Sequence, residues 1–169
     1  MSGTDVRALL LVEDDPNDVH FFRRGLEKAG LDGSLQVAQD GEMAVDYIDG
    51  RGRYENRALH PFPALIVLDL KLPKKKGLEV LRWLREESRF KGTPVIILTS
   101  STEPSDVAAA RALGVIDYQV KSSDFQETCD LVRSIGLVWA KLTGNVDRLR
   151  QAASKDLPKH PPPPTSASV

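Results

Sequence analysis

Three uninterrupted apolar runs, "ALLLV" (Ala8 to Val12), "ALIVL" (Ala64 to Leu68) and "VIIL" (Val95 to Leu98), most constrain what this chain can fold into. A strand with one wet face alternates apolar and polar residues, so runs without alternation mark strands buried on both faces. Two further segments, "LQVA" (Leu35 to Ala38) and "VIDYQV" (Val115 to Val120), interrupt their apolar residues with polar ones, as edge strands do. A helical pattern follows each strand. Pro16 and Asn17 open "NDVHFFRRGLEKAG", which closes on Gly30, and "DGEMAVDYI", "GLEVLRWLREE", "PSDVAAARALG" and a helix from about Asp124 to Thr143 follow the others. The resulting βαβαβαβαβα order predicts a doubly wound five-stranded parallel sheet with helices on both faces. With strands 2 and 5 at the edges the strand order is 2-1-3-4-5, and the switch point falls between strands 1 and 3.

The chain's 169 residues suit one well-buried domain, expected over 1–143, with an extension over 144–169. Within the domain, "GRGRYENRALHPFP" (50–63) reads as an insertion at the amino ends of the strands, the end opposite to where such sheets bind ligands. Five of the eleven prolines fall in the last twelve residues, the composition of an inert or polyproline tail. A net charge of −1 with no basic stripe excludes an electrostatic case for nucleic acid. The single cysteine, Cys129, excludes an internal disulfide and suits a reducing compartment as a small apolar filler. The first residues form neither a signal peptide nor a membrane span, so a cytoplasmic protein is expected.

Polar residues collect where the strands end. Glu13 and Asp14 follow strand 1, Asp69 follows strand 3, Thr99 closes strand 4 and Lys121 follows strand 5. Three carboxylates on one rim repel one another unless a cation sits among them, and hard oxygen donors favour Mg²⁺. His20, His60 and His160 make no cluster of their own. A carboxylate beside a divalent ion, with a hydroxyl and an ammonium on the next strands, suits phosphoryl transfer onto Asp69, with Thr99 and Lys121 contacting the phosphoryl oxygens. Asp15, followed by proline, is read as a cap of the first helix.

At "LLVEDDP", "VLDLKLPKKKG", "VIILTSS" and "DYQVK" the chain resembles the receiver domains of two-component response regulators over about Val6 to Thr143. That resemblance implies the flavodoxin-like receiver fold, with Glu13 and Asp14 as the acidic pair for Mg²⁺ and Asp69 as the phosphoacceptor. It further implies that Lys71 lends a backbone carbonyl to the metal, Thr99 is the switch hydroxyl, Tyr118 the rotating aromatic and Lys121 the phosphate-binding lysine. The phosphodonor would be a sensor histidine kinase. The insertion, the long last helix and the lack of an output domain look like the small regulators paired with phytochrome kinases, a stand-alone regulator that signals through protein contacts. Ser122 stands after Lys121 where receivers usually carry proline, which puts their cis peptide in doubt.

Other readings remain in view. A haloacid-dehalogenase-like phosphatase would need a second Asp at the position of Lys71. A flavodoxin-like cofactor binder would find "EDDP" repelling its phosphate. A pseudo-receiver would bind partners without phosphorylation. The lysines of the turn, Lys71, Lys74, Lys75 and Lys76, read either as a solvated surface or as an attractant for an acidic kinase face or a phosphate. Along the last helix, Phe125, Cys129, Val132, Gly136 and Trp139 form a stripe assigned to the sheet. A second stripe, Leu131, Ile135, Val138 and Leu142, continuing to Val146 and Leu149, is expected to form a homodimer with the edge strand Val115 to Val120.

Overall fold

The computed structural model describes residues 7–31, 35–87 and 89–145. Its strands are β1 (Ala8–Val12), β2 (Leu35–Ala38), β3 (Pro63–Leu68), β4 (Val95–Thr99) and β5 (Asp117–Val120). They alternate with α1 (Pro16–Lys28), α2 (Gly41–Asp49), α3 (Gly77–Glu86), α4 (Pro104–Ala112) and α5 (Phe125–Thr143). The sheet is parallel throughout, in the order β2-β1-β3-β4-β5. This is the order that the apolar runs predict. Val12 pairs with Leu68 and Leu68 with Ile97, so the central strands end at one level.

The register shows why the central runs are continuous. Leu10, Val12, Ile66, Leu68 and Ile97 point to one face and pack with Tyr47 and Ile48 of α2 and Leu81 and Leu84 of α3. Their neighbours Leu9, Leu11, Leu65, Val67, Ile96 and Leu98 point to the other, against Phe22 and Leu26 of α1 and Val132 and Trp139 of α5. Both faces are dry, so both halves of the strand's period-two pattern must be apolar. β5 is exposed or half-buried along its whole length, as an edge strand should be, and begins at Asp117 rather than Val115.

Side chains at the helix starts hold these elements in place. The Asp15 carboxylate accepts the Asn17 amide at 2.8 Å and caps α1, with Pro16 at its first turn, as its sequence predicts. Asp40 caps α2 through the Met43 amide at 2.7 Å, and Asp124 caps α5 through the Glu127 amide at 2.8 Å. The insertion is a packed loop at the amino ends of the strands, with one 3₁₀ turn at Gly52–Tyr54. Arg57 donates to the carbonyls of Tyr47 and Ile48, each at 2.7 Å, and so satisfies the last turn of α2. Tyr54, Tyr47 and His60 pack edge to face around it.

Helix α5 buries part of the stripe expected to form the dimer. Ile135 is 2% exposed, and Leu131 and Val138 pack partly buried against the core shared with α1. Of the four residues in that stripe only Leu142 stays exposed. The cause is that α5 covers two surfaces, the sheet and α1, and so needs two apolar faces in the monomer. The helices approach closely at glycines: a Cβ on Gly25 would meet Val132, and one on Gly136 would meet Leu31 and Leu26. Phe125, assigned to the sheet, is instead exposed and lies edge to face on Phe21 of α1 at 5.9 Å. Val146, Leu149 and the proline-rich tail lie outside the described residues. Among the described residues no peptide is cis, Lys121–Ser122 included, and no helix is long and apolar enough to cross a membrane.

Candidate functional site

The carboxyl ends of β1, β3, β4 and β5 bring the polar residues of the sequence motifs onto one rim. Parallel pairing carries them there: the Asp69 amide donates to the Val12 carbonyl at 3.1 Å, and the Lys121 amide to Thr99 at 2.8 Å. Asp69 is 4% exposed, Glu13 2%, and Thr99 is fully buried, while Asp14 faces solvent. Glu13, Asp14 and Asp69 can each bring a carboxylate oxygen within 4.8 Å of the other two.

One ammonium stands among the acids. Lys121 Nζ lies 2.6 Å from Glu13 Oε2, 2.8 Å from Asp69 Oδ2 and 2.8 Å from Asp18 Oδ2. Burial alone would lower the Lys121 pKa, but the bonds to Asp18, Asp69 and Glu13 hold it well above its ordinary value. Burial pushes the Glu13 carboxyl up to about 7, although Lys121 and the Asp15 amide, which donates to Glu13 Oε1 at 3.0 Å, work against the rise. Asp18 is the residue that sequence reading missed. It lies in the first turn of α1, and the spacing from "EDD" gives no reason to add it to the cluster. Its signal appears only when α1 packs against α5 and the loop after β5 brings Lys121 to it.

The remaining motif residues surround this centre. The Lys71 amide donates to Asp69 Oδ1 at 3.0 Å, which ties the acid to the turn behind it. Thr99 Oγ1 accepts the Ser101 amide at 3.3 Å. Tyr118, half-buried, donates its hydroxyl to the Ser101 carbonyl at 3.0 Å, so both expected switch residues meet the β4–α4 loop at Ser101. A cavity of about 190 Å³ opens beside Lys121 between α1 and α5, with Phe21, Phe22, Leu98 and Leu131 among its walls. The donor set fits a hard divalent cation. It consists of carboxylate oxygens close enough to share one ion, with Glu13 and Asp69 buried and Asp14 open to solvent. No sulfur or imidazole accompanies them in that cluster.

A family model, the response regulator receiver domain, matches residues 9–133. The response regulator Rcp1 of Synechocystis sp. is 36% identical over 79% of this chain and 88% of its own length. Its crystal structure in a Mn²⁺-bound form, compared over 79% of this chain and 94% of that one, gives a TM-score of 0.72 at 36% identity. The phosphorylated cyanobacterial phytochrome response regulator RcpA gives a TM-score of 0.72 at 31% identity, over 79% of this chain and 93% of that one.

Proposed function

Since this chain belongs to the response regulator receiver domain family, we propose that it accepts a phosphoryl group on Asp69 from the phosphohistidine of a sensor histidine kinase and signals through protein contacts. The observation that carries the reading is Lys121 Nζ shared by Glu13, Asp18 and Asp69 beside the three-carboxylate cluster. An Asp69 oxygen attacks phosphorus, the new P–O bond forms as the P–N bond breaks, and the departing imidazole nitrogen keeps the electron pair. Lys121, already on Asp69, neutralises one phosphoryl oxygen, and the Thr99 hydroxyl donates to another. Glu13, Asp14 and Asp69, with the Lys71 carbonyl that the family resemblance implies, would hold Mg²⁺, which supplies charge neutralisation to the incoming phosphoryl group. Asp69→Asn removes the nucleophile and leaves the shape. Incubation with acetyl phosphate and Mg²⁺ followed by intact mass should show one added phosphoryl group in the wild type and none in the variant. A variant phosphorylated as fast as wild type overturns the assignment.

Two partners belong to the same reading. The likeness to RcpA, a phytochrome response regulator, supports a kinase of the phytochrome class as the donor, and phosphotransfer from such a kinase to the wild-type chain and not to Asp69→Asn tests it. With most of the α5 stripe committed to α1, self-association is assigned to the β5 edge, where Ile116 and Val120 are exposed, together with Leu142.

A further inference from the structure

Apart from the Lys71 carbonyl, the lysine-rich turn behind Asp69 has no role in the reaction as proposed. Its backbone supplies one. Lys74 has φ 62° and is the one non-glycine residue in the left-handed region among the described residues. A side chain with a Cβ disfavours that conformation, which persists only where the surroundings hold it. Here Asp40 does so. Its carboxyl, 5% exposed, accepts the Met43 amide on one oxygen at 2.7 Å and faces the Lys74 ammonium on the other at 2.9 Å. Burial alone would raise the Asp40 pKa, yet the Met43 amide and Lys74 hold it below its ordinary value.

The neighbouring residues close the same clamp. Gly41 lies so near the Lys75 backbone that any Cβ there would strike the Lys75 carbonyl oxygen. At the far end of the turn, the Gly77 amide donates to the Leu70 carbonyl at 3.0 Å, and a Cβ on Gly77 would strike the Asp69 carbonyl. The turn is therefore pinned to α2 at Lys74 and Lys75 and to the end of β3 at Gly77. Ahead of these points Lys71 gives its amide to the Asp69 carboxylate.

We propose that Asp40 and Lys74 form a latch that holds the β3–α3 turn in the geometry that aims the Asp69 carboxylate and presents the Lys71 carbonyl to the cation. Both are positioning residues, and the inference rests on the cation site and the Asp69 role proposed above. The Lys74 side chain is 55% exposed, so solvent screens the ion pair itself. Its effect lies in fixing a strained backbone.

Calorimetric titration of Mg²⁺ and Mn²⁺ into the wild type, Asp40→Asn, Lys74→Gln and the double variant Asp40→Asn with Lys74→Gly tests the latch. Asparagine keeps an oxygen for the Met43 amide, so α2 retains its cap. The two single changes alter charge in opposite directions. A simple field on the cation would make Asp40→Asn bind more weakly and Lys74→Gln more tightly. The latch requires both to bind about tenfold more weakly, by analogy with other groups that orient metal ligands. It also requires the double variant to return to within about twofold of wild type, because glycine adopts this φ without a latch. Opposite shifts of the two single variants overturn the proposal, as does wild-type affinity in both. A double variant as weak as Asp40→Asn also overturns it. A wild type that binds the cation but gains no phosphoryl group refutes Asp69 as acceptor while the titrations still decide the latch. A wild type that binds neither cation refutes the metal site and the latch with it.

Discussion

Replacing Lys121 by methionine should make the metal-free protein unstable in a way that depends on pH. The ammonium is 2.6 to 2.8 Å from three carboxylate oxygens, and the side chains of Glu13 and Asp69 are 3% and 4% exposed. Each such contact is of the order of 4 kcal/mol at an effective dielectric near 20, before desolvation and carboxylate repulsion cancel most of it. Removing one partner of a buried pair leaves the other uncompensated, at a net cost of about 3–5 kcal/mol. Asp18, whose side chain is 38% exposed, adds little to that figure because solvent screens it. The cost is a large part of a domain stability of about 5–15 kcal/mol. At about 2–4 °C per kcal/mol it corresponds to a midpoint lowered by roughly 6–20 °C.

The pH dependence follows from Glu13. Burial raises its folded pKa from 4.5 to about 7, so the folded state holds this proton more tightly than the unfolded chain does. Its contribution is fully favourable below the unfolded value and is lost as pH rises through about 7. Without Lys121 the carboxyl loses one of the groups opposing that rise, so the deficit of Lys121→Met should be largest at alkaline pH and shrink on acidification. Urea unfolding in chelator, followed by circular dichroism at about pH 8.5 and about pH 6, measures both effects. Saturating Mg²⁺ should recover part of the loss by placing a cation among Glu13, Asp14 and Asp69. A deficit under about 1 kcal/mol at the higher pH, or one that grows on acidification, refutes the reasoning.

The same proton competes with metal. Mg²⁺ affinity should fall by up to about tenfold per unit as pH drops below about 7, and an affinity independent of pH there removes Glu13 from the ligand set. Asp14→Ala should lose Mg²⁺ binding, whereas Thr99→Ala should keep it and respond poorly to acetyl phosphate, because its hydroxyl is assigned to the phosphoryl oxygens; equal metal loss in both refutes that division. Light scattering at micromolar concentration should give twice the 18.6 kDa chain mass for the wild type and one chain for folded Ile116→Glu with Leu142→Glu. A wild-type mass of one chain excludes the β5-edge dimer. Val138 is the wrong probe for that test, because a glutamate there meets the core and disturbs folding before assembly.

The central strands were legible because both their faces are dry, which makes the residue pattern itself report the burial. β2 was legible to the residue, and β5 to within two, its start blurred because Ile116, just before the strand, already donates its amide to the Val95 carbonyl at 2.9 Å. Helix α5 was legible as a helix but not in what it covers. A sequence shows two apolar stripes without saying whether the second meets another helix or another molecule. Gly25 and Gly136 were the available clue, since glycines on two helix faces permit the close approach that consumed Leu131, Ile135 and Val138.

In the site, the legible residues stand directly at strand ends, where chain order fixes their place on the rim. The others reach it across distances that no local pattern encodes. Asp18 meets Lys121 across 103 positions and Asp40 meets Lys74 from the next loop over, and each looks in sequence like an ordinary acid near the start of a helix. Both have the same physical origin: a carboxyl near a helix start is held at a fixed angle to the rim and can take a lysine from a neighbouring loop. The lysines of the turn therefore divide by backbone. Lys74 is tied into the fold by Asp40, and Lys75 lies with its carbonyl against Gly41, whereas the side chains of Lys71 and Lys76 face solvent. A bare acid at the end of a buried strand is tolerated because two neighbours share its charge, Lys121 on one carboxylate oxygen and the Lys71 amide on the other, and the turn that carries that amide is held by Asp40.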